Sequence, residues 1–144
     1  MQTQARDFRP IEILLVEDHP GDARLTMEAF HHCDGALRLH HAWNGLEAMA
    51  FLRRPDAPRP ALVLLDLNMP KMDGRETLGQ IKSDANLRDI PTIVLTTSEH
   101  EADILACYKL GANCYLRKPP QWDAFAGLMR SIDAFWLTRA KLPH

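Results

Sequence analysis

Ala61-Leu62-Val63-Leu64-Leu65-Asp66 runs through five apolar residues and stops abruptly at an acid. So short and unbroken an apolar run reads as a strand buried on both faces, as in the middle of a parallel sheet. The same kind of run recurs on either side. Ile11 to Val16 is apolar but for Glu12, Leu37 to Ala42 reads as a second strand, Thr92 to Leu95 follows Pro91, and Cys114 to Arg117 is a short fifth. Helical spacing fills the intervals. Ala23, Met27 and Phe30 follow Pro20, and Leu46, Met49, Ala50 and Phe51 follow an Asn44–Gly45 turn. Arg54 to Pro60 carries three prolines and reads as a loop. Beyond Asp66, Pro70 to Gly74 forms a loop and Leu78 and Ile81 mark a short helix. A helix from about Glu99 to Leu110 stops at Gly111, and a last one runs from about Trp122 past Trp136. Five strand–helix units imply an α/β fold, a doubly wound five-stranded parallel sheet with five helices on its two faces.

The length of 144 residues suits one domain, expected over residues 11–137, with a flexible segment at 1–10 and a tail at 138–144. Hydrophobic residues at 46% and charged residues at 25% are ordinary for a globular chain. A net charge of −2 offers no nucleic-acid footprint or membrane-surface patch. No apolar run approaches the ~20 residues that span a bilayer, and the polar N-terminus lacks a signal peptide's apolar core, so the expected location is the cytoplasm. Cys33, Cys107 and Cys114 are odd in number and irregularly spaced, which suits reduced thiols better than disulfides. His31–His32 and His40–His41 are adjacent pairs whose side chains point apart, so neither pair makes a two-ligand site.

Ligands of open α/β sheets bind beyond the carboxyl ends of the strands. Strand one ends in Glu17–Asp18, strand three in Asp66, strand four in Thr96, and strand five just before Lys118. Three acids converging on one rim repel each other unless a cation intervenes, and Mg²⁺, hard and oxygen-seeking, suits them. Asp66, fixed by the most apolar strand, is placed to attack phosphorus and become an aspartyl-phosphate. That transfer needs positioning and charge neutralisation, which Lys118, the cation and the Thr96 hydroxyl can supply.

The set Glu17–Asp18, Asp66, Thr96 and Lys118–Pro119, with Leu65-Asp66-Leu67-Asn68-Met69-Pro70 leading to Asp73–Gly74, resembles the bacterial response-regulator receiver family from about Ile11 to Trp136. The resemblance implies the flavodoxin-like strand order 2-1-3-4-5. It implies Asp66 as phosphoacceptor, Asp18 on Mg²⁺ directly, Glu17 through water, and the Asn68 backbone carbonyl as a further metal ligand. It makes Lys118 the partner of the phosphoryl group, Thr96 and Tyr115 the switch pair, and the Lys118–Pro119 bond cis. The chain would then be no enzyme but a phosphoacceptor switch with at most slow self-catalysed phosphorylation and dephosphorylation. Leu95-Thr96-Thr97-Ser98 and Ala112-Asn113-Cys114-Tyr115 further resemble regulators paired with phytochrome-type histidine kinases, which implies a bacteriophytochrome as cognate kinase. Three positions depart from the family pattern. His19 stands where asparagine or aspartate is commoner, Thr97 where a smaller residue is frequent, and Pro120 stiffens the start of the last helix.

The last helix admits two readings. Phe125, Leu128, Met129, Ile132, Phe135 and Trp136 form an apolar stripe broader than one docking face needs. It either packs wholly on the sheet or leaves a homodimer surface exposed together with neighbouring elements, the second being favoured. Signalling would pass through protein contacts. Among rival functions, an aspartate-nucleophile phosphatase wants a second aspartate where Asn68 stands, and a flavodoxin-like binding module wants a Ser/Thr/Gly-rich loop where Glu17-Asp18-His19-Pro20 stands. A phosphorylation-independent adaptor on the receiver fold is the remaining alternative.

Overall fold

The computed structural model describes residues 10–31 and 37–143. The elements alternate as β1 (Ile11–Val16), α1 (Pro20–His31), β2 (Leu37–Ala42), α2 (Gly45–Arg53), β3 (Leu62–Leu65), α3 (Gly74–Ser83), β4 (Thr92–Thr96), α4 (Glu101–Leu110), β5 (Cys114–Arg117) and α5 (Trp122–Ile132). The chain then continues through a wider π-helical stretch, Asp133–Arg139. The sheet is wholly parallel in the order β2-β1-β3-β4-β5, as the family resemblance implied. Cys33 and His32, like residues 1–9 of the N-terminal segment, lie outside the described residues.

Side chains alternate across the pleat, so each central strand feeds two cores. Ile13, Leu15, Leu62, Leu64, Ile93 and Leu95 meet α1 and α5. Leu14, Val16, Val63, Leu65 and Val94 meet α2, α3 and α4. All four residues of β3 are fully buried, which explains why that strand shows no polar alternation. Each such Leu or Val removed from water contributes roughly 1.5–3 kcal/mol before entropy is counted. This double packing fixes the strand whose end carries Asp66.

Local chemistry sets the boundaries. Asn44 caps α2 by accepting the Glu47 N–H at 3.0 Å, and Asp73 caps α3 by accepting that of Glu76 at 3.0 Å. Gly111 ends α4 at φ 111°, a left-handed conformation that favours glycine. Helix α4 starts at Glu101, two residues later than expected. Ser98 accepts the His100 N–H at 3.2 Å and donates to Asp103 at 2.6 Å, holding 98–100 as a turn outside the helix. The Asn113 side chain of the Ala-Asn-Cys-Tyr string is structural: its Oδ1 accepts from Thr92 N at 2.8 Å and Lys82 Nζ at 2.9 Å.

The broad stripe on the last helix divides. Phe125, Met129 and Ile132 are buried on the sheet, Leu128, Trp136 and Leu137 are packed beside them, and Trp122 and Phe135 stay 40% and 58% exposed. Among the described residues no helix is long and apolar enough to cross a membrane.

Candidate functional site

The carboxyl ends of β1, β3, β4 and β5 form one rim, and the backbone ties them together. Asp66 N donates to Val16 O at 3.0 Å, Glu17 N to Ala42 O at 3.0 Å, and Lys118 N to Thr96 O at 2.7 Å. One carboxylate oxygen each from Glu17, Asp18 and Asp66 lies within 4.8 Å of the other two. Glu17 is 2% exposed, and each of its oxygens is engaged: Oε1 accepts from Lys118 Nζ at 2.5 Å and Oε2 from His19 N at 3.2 Å. The same ammonium reaches Asp22 Oδ2 at 3.0 Å and stands 3.9 Å from Asp66 Oδ1. Asp18 is half-buried, and Asn68, two residues past Asp66, is exposed.

The electrostatics follow from this crowding. Burial pushes the Asp66 carboxyl up to about 7; Lys118 pulls against it, while Glu17 and Asp18 add to the rise. Burial also opposes the charge on Lys118, but Asp66, Glu17 and Asp22 together outweigh it and hold the ammonium above its ordinary range. Three acids, Glu17, Asp22 and Asp66, therefore share one lysine, and Asp18 adds a fourth negative group beside them. An all-oxygen donor set with surplus negative charge fits a hard divalent cation. The Thr96 hydroxyl, fully buried, is the one buried side-chain polar atom among the described residues without a hydrogen-bond partner. Unsatisfied groups of this kind are rare and call for a ligand oxygen.

The rim's chemistry is thus that of a cation and a phosphoryl group on one aspartate, and the response-regulator receiver domain family matches residues 13–128. The chain belongs to that family. It is a signalling switch of two-component systems. Response regulator Rcp1 of Synechocystis sp. is 44% identical over 138 residues, covering 93% of this chain and 94% of Rcp1. The Mn²⁺-bound structure of Rcp1 superposes with a TM-score of 0.89 at 44% identity over 94% of this chain and all of that one. The phosphorylated cyanobacterial phytochrome response regulator RcpA superposes with a TM-score of 0.91 at 43% identity, covering 94% of this chain and 100% of RcpA. The receiver is therefore homologous to phytochrome-associated response regulators.

The sequence-derived residues fall into place unevenly. Glu17, Asp18, Asp66 and Lys118 are brought together, and Thr96 lies fully buried at the end of β4. Tyr115 sits apart on β5, half-buried, its hydroxyl donating to Ser98 O at 3.0 Å. That bond joins the Tyr115 side chain to the loop that begins after Thr96. The Lys118–Pro119 peptide, expected to be cis, is trans: no cis bond occurs among the described residues. Trans is the ordinary preference of a peptide before proline. His19 caps α1, its Nδ1 accepting the Asp22 N–H at 3.1 Å and its carbonyl the Ala23 N–H at 2.9 Å, the work an asparagine does elsewhere. Thr97 and Pro120 are exposed and border the cleft beside Lys118.

Asp22 was missed by the sequence. Acids are common in a helix's first turn, and its partner Lys118 is 96 residues away. Helical spacing offered no clue, because Asp18 precedes α1, which begins at Pro20.

Proposed function

We propose that this chain is a single-domain response regulator, spanning residues 11–137, that accepts a phosphoryl group from a sensor histidine kinase on Asp66. The observation that carries this reading is the three-acid cluster within 4.8 Å, with a lysine ammonium 3.9 Å from Asp66. An Asp66 carboxylate oxygen forms the new O–P bond, the donor phosphohistidine's P–N bond breaks, and its imidazole leaves with the electron pair. Lys118 pairs with one phosphoryl oxygen and the Thr96 hydroxyl donates to another, which satisfies its buried oxygen. Asp18, Asp66 and the Asn68 carbonyl would hold Mg²⁺, with Glu17 acting through water as the family resemblance implies. Bound there, the cation neutralises the acids and the developing charge on the phosphoryl oxygens. Slow self-catalysed phosphorylation and dephosphorylation fall within the same arrangement.

A cleft of about 320 Å³ opens beside Lys118 between α1 and α5, with Leu25, Pro119, Trp122 and Phe125 in its wall. It suits an apolar side chain on the kinase helix that presents the phosphohistidine. The kinase is a bacteriophytochrome, a reading supported by the likeness to RcpA and to the bacteriophytochrome response regulator AtBRR, 37% identical with a TM-score of 0.71. Trp122 on α5 and Phe135 just past it are exposed and support a homodimer there; the same reading has the chain in the cytoplasm, without nucleic-acid or membrane contacts.

Acetyl phosphate, given with and without Mg²⁺ and followed by intact mass, tests the core of this reading. A Mg²⁺-dependent gain of one phosphoryl group, absent in Asp66→Asn, is the expected result. No gain in a folded protein that binds Mg²⁺ would favour the phosphorylation-independent adaptor. Light scattering across a concentration range tests the dimer.

A further inference from the structure

The acid pair at the end of β1 is held by a residue on a different strand. Glu17 lies one residue past the β1 ladder, whose last pair is Val16 with Ala42. Its N–H still donates to Ala42 O at 3.0 Å, but its carbonyl has run out of strand partners. His41 takes over: its Nε2 lies 2.8 Å from Glu17 O. A carbonyl oxygen carries no proton, so Nε2–H is the donor whatever the state of the other ring nitrogen. The Trp43 ring lies against the imidazole with centroids 4.2 Å apart and limits its rotation. The neighbouring histidine, His40, points the other way, to Glu12 Oε1 at 2.7 Å.

That bond matters because of where the oxygen sits. Glu17 C=O and Asp18 N belong to one planar peptide unit. Fixing the carbonyl fixes the plane, and with it the positions of Asp18 N and Cα, leaving rotation about the Asp18 N–Cα bond as the one backbone freedom that still turns its side chain. Glu17 itself needs no such help, since its carboxylate is already held by Lys118 and His19 N–H. We infer that His41 is a positioning residue: by donating Nε2–H to the Glu17–Asp18 peptide it aims Asp18 at the cation that the rim takes up. This rests on the proposed cation and phosphoryl chemistry of Asp18 and Asp66. Residues that orient metal ligands from outside the ligand set commonly change affinity by about 10–100-fold when removed.

The test compares wild type with His41→Phe, His41→Gln and His41→Asn. Phe keeps a ring against Trp43 but has no donor. Gln carries an N–H near the place of Nε2, and Asn is too short to reach. Mn²⁺ affinity is read by paramagnetic resonance of the free ion, alongside thermal melting of the metal-free proteins and the ¹⁵N spectrum of the imidazoles. The expected result is an Nε2–H tautomer for His41 in the metal-free wild type, Mn²⁺ binding weakened about tenfold or more in Phe and Asn, and recovery in Gln. Should Phe fold poorly, the Gln-against-Asn comparison decides alone. Equal Mn²⁺ affinity across wild type, Gln and Asn, or a loss of melting temperature in all variants without loss of affinity, would overturn the inference. A wild type that binds no Mn²⁺ and gains no phosphoryl group would instead overturn the function on which it rests.

Discussion

Lys118 Nζ lies 2.5 Å from Glu17 Oε1 but 3.9 Å from Asp66 Oδ1, so the lysine is anchored by the buried glutamate and only leans on the aspartate. Both anchored groups are nearly out of water, at 7% and 2% side-chain exposure. A buried pair of this kind is costly to break from one side, because the survivor is left charged and unpaired. Lys118→Met therefore destabilises the metal-free protein by about 3–5 kcal/mol, and the double change Glu17→Gln with Lys118→Met costs clearly less than Lys118→Met alone. Urea unfolding of the four proteins checks this. A double variant less stable than either single one would refute it.

Asp66 makes the metal-free protein sensitive to pH in an unusual direction. Its carboxyl titrates near 7 when folded, against an ordinary 3.8. Between those values the folded state holds a proton that the unfolded state has lost, so stability falls as pH rises and levels off above about 7. The loss is on the order of 4 kcal/mol at about 1.4 kcal/mol per unit. Asp66→Asn removes this slope, and saturating Mg²⁺ flattens it in wild type. Melting curves of metal-free protein from pH 4.5 to 8, with and without Mg²⁺, read both effects.

Much of this was legible in the sequence because the chain's parts are locally consistent. β3 announces itself through unbroken apolarity, Asn44 and Gly111 mark helix ends by their own chemistry, and the acids and lysine stand at strand ends where an α/β sheet puts its ligands. What the sequence hid depends on geometry between distant segments. Asp22 gains its role from Lys118, and His41 from a carbonyl on the adjacent strand. The start of α4 slipped because a side-chain turn at Ser98 outcompetes helix over 98–100, which apolar periodicity does not register. The trans Lys118–Pro119 bond departs from the family-derived expectation, on a point where sequence has no voice.

Thr96 holds a fully buried hydroxyl with no partner. Before phosphorylation the hydroxyl is a liability, and Thr96→Val, nearly the same shape, leaves stability unchanged or raises it by about 1 kcal/mol. After phosphorylation the hydroxyl is wanted, so the same variant accumulates less phosphorylated protein from acetyl phosphate. A variant that loses stability while keeping its phosphorylation level would contradict both halves.

Gly74 touches the backbone of the site. A Cβ there would stand 2.3 Å from Asp66 O and 2.5 Å from Leu67 Cα, and neither neighbour is a flexible side-chain end. Gly74→Ala must displace the segment that carries the phosphoacceptor, at a cost of about 1–3 kcal/mol. The rate of phosphorylation by acetyl phosphate falls with it, whereas Gly79→Ala, which meets only Leu110 Cδ2 at 3.8 Å, leaves that rate alone. Paired denaturation and mass-shift kinetics on the two variants separate a local displacement from a general loss of stability.

Asp103 gathers three elements at the loop between the switch residues. Its carboxylate accepts from Ser98 Oγ at 2.6 Å and pairs with Arg75 at the start of α3, while Ser98 O accepts the Tyr115 hydroxyl at 3.0 Å. The Ser98 and Arg75 contacts hold the Asp103 carboxyl below the usual carboxylate range. Its contribution is thus present at neutral pH and is lost as pH falls through that lowered value. Because the partners are partly solvated, Asp103→Asn changes global stability little. It releases the loop instead. Amide hydrogen exchange over 97–100 speeds up in the unphosphorylated protein, and the Tyr115 phenol loses its fixed environment. Exchange that stays at the wild-type rate in this variant would mean that Tyr115 and the backbone hold the loop without help from Asp103.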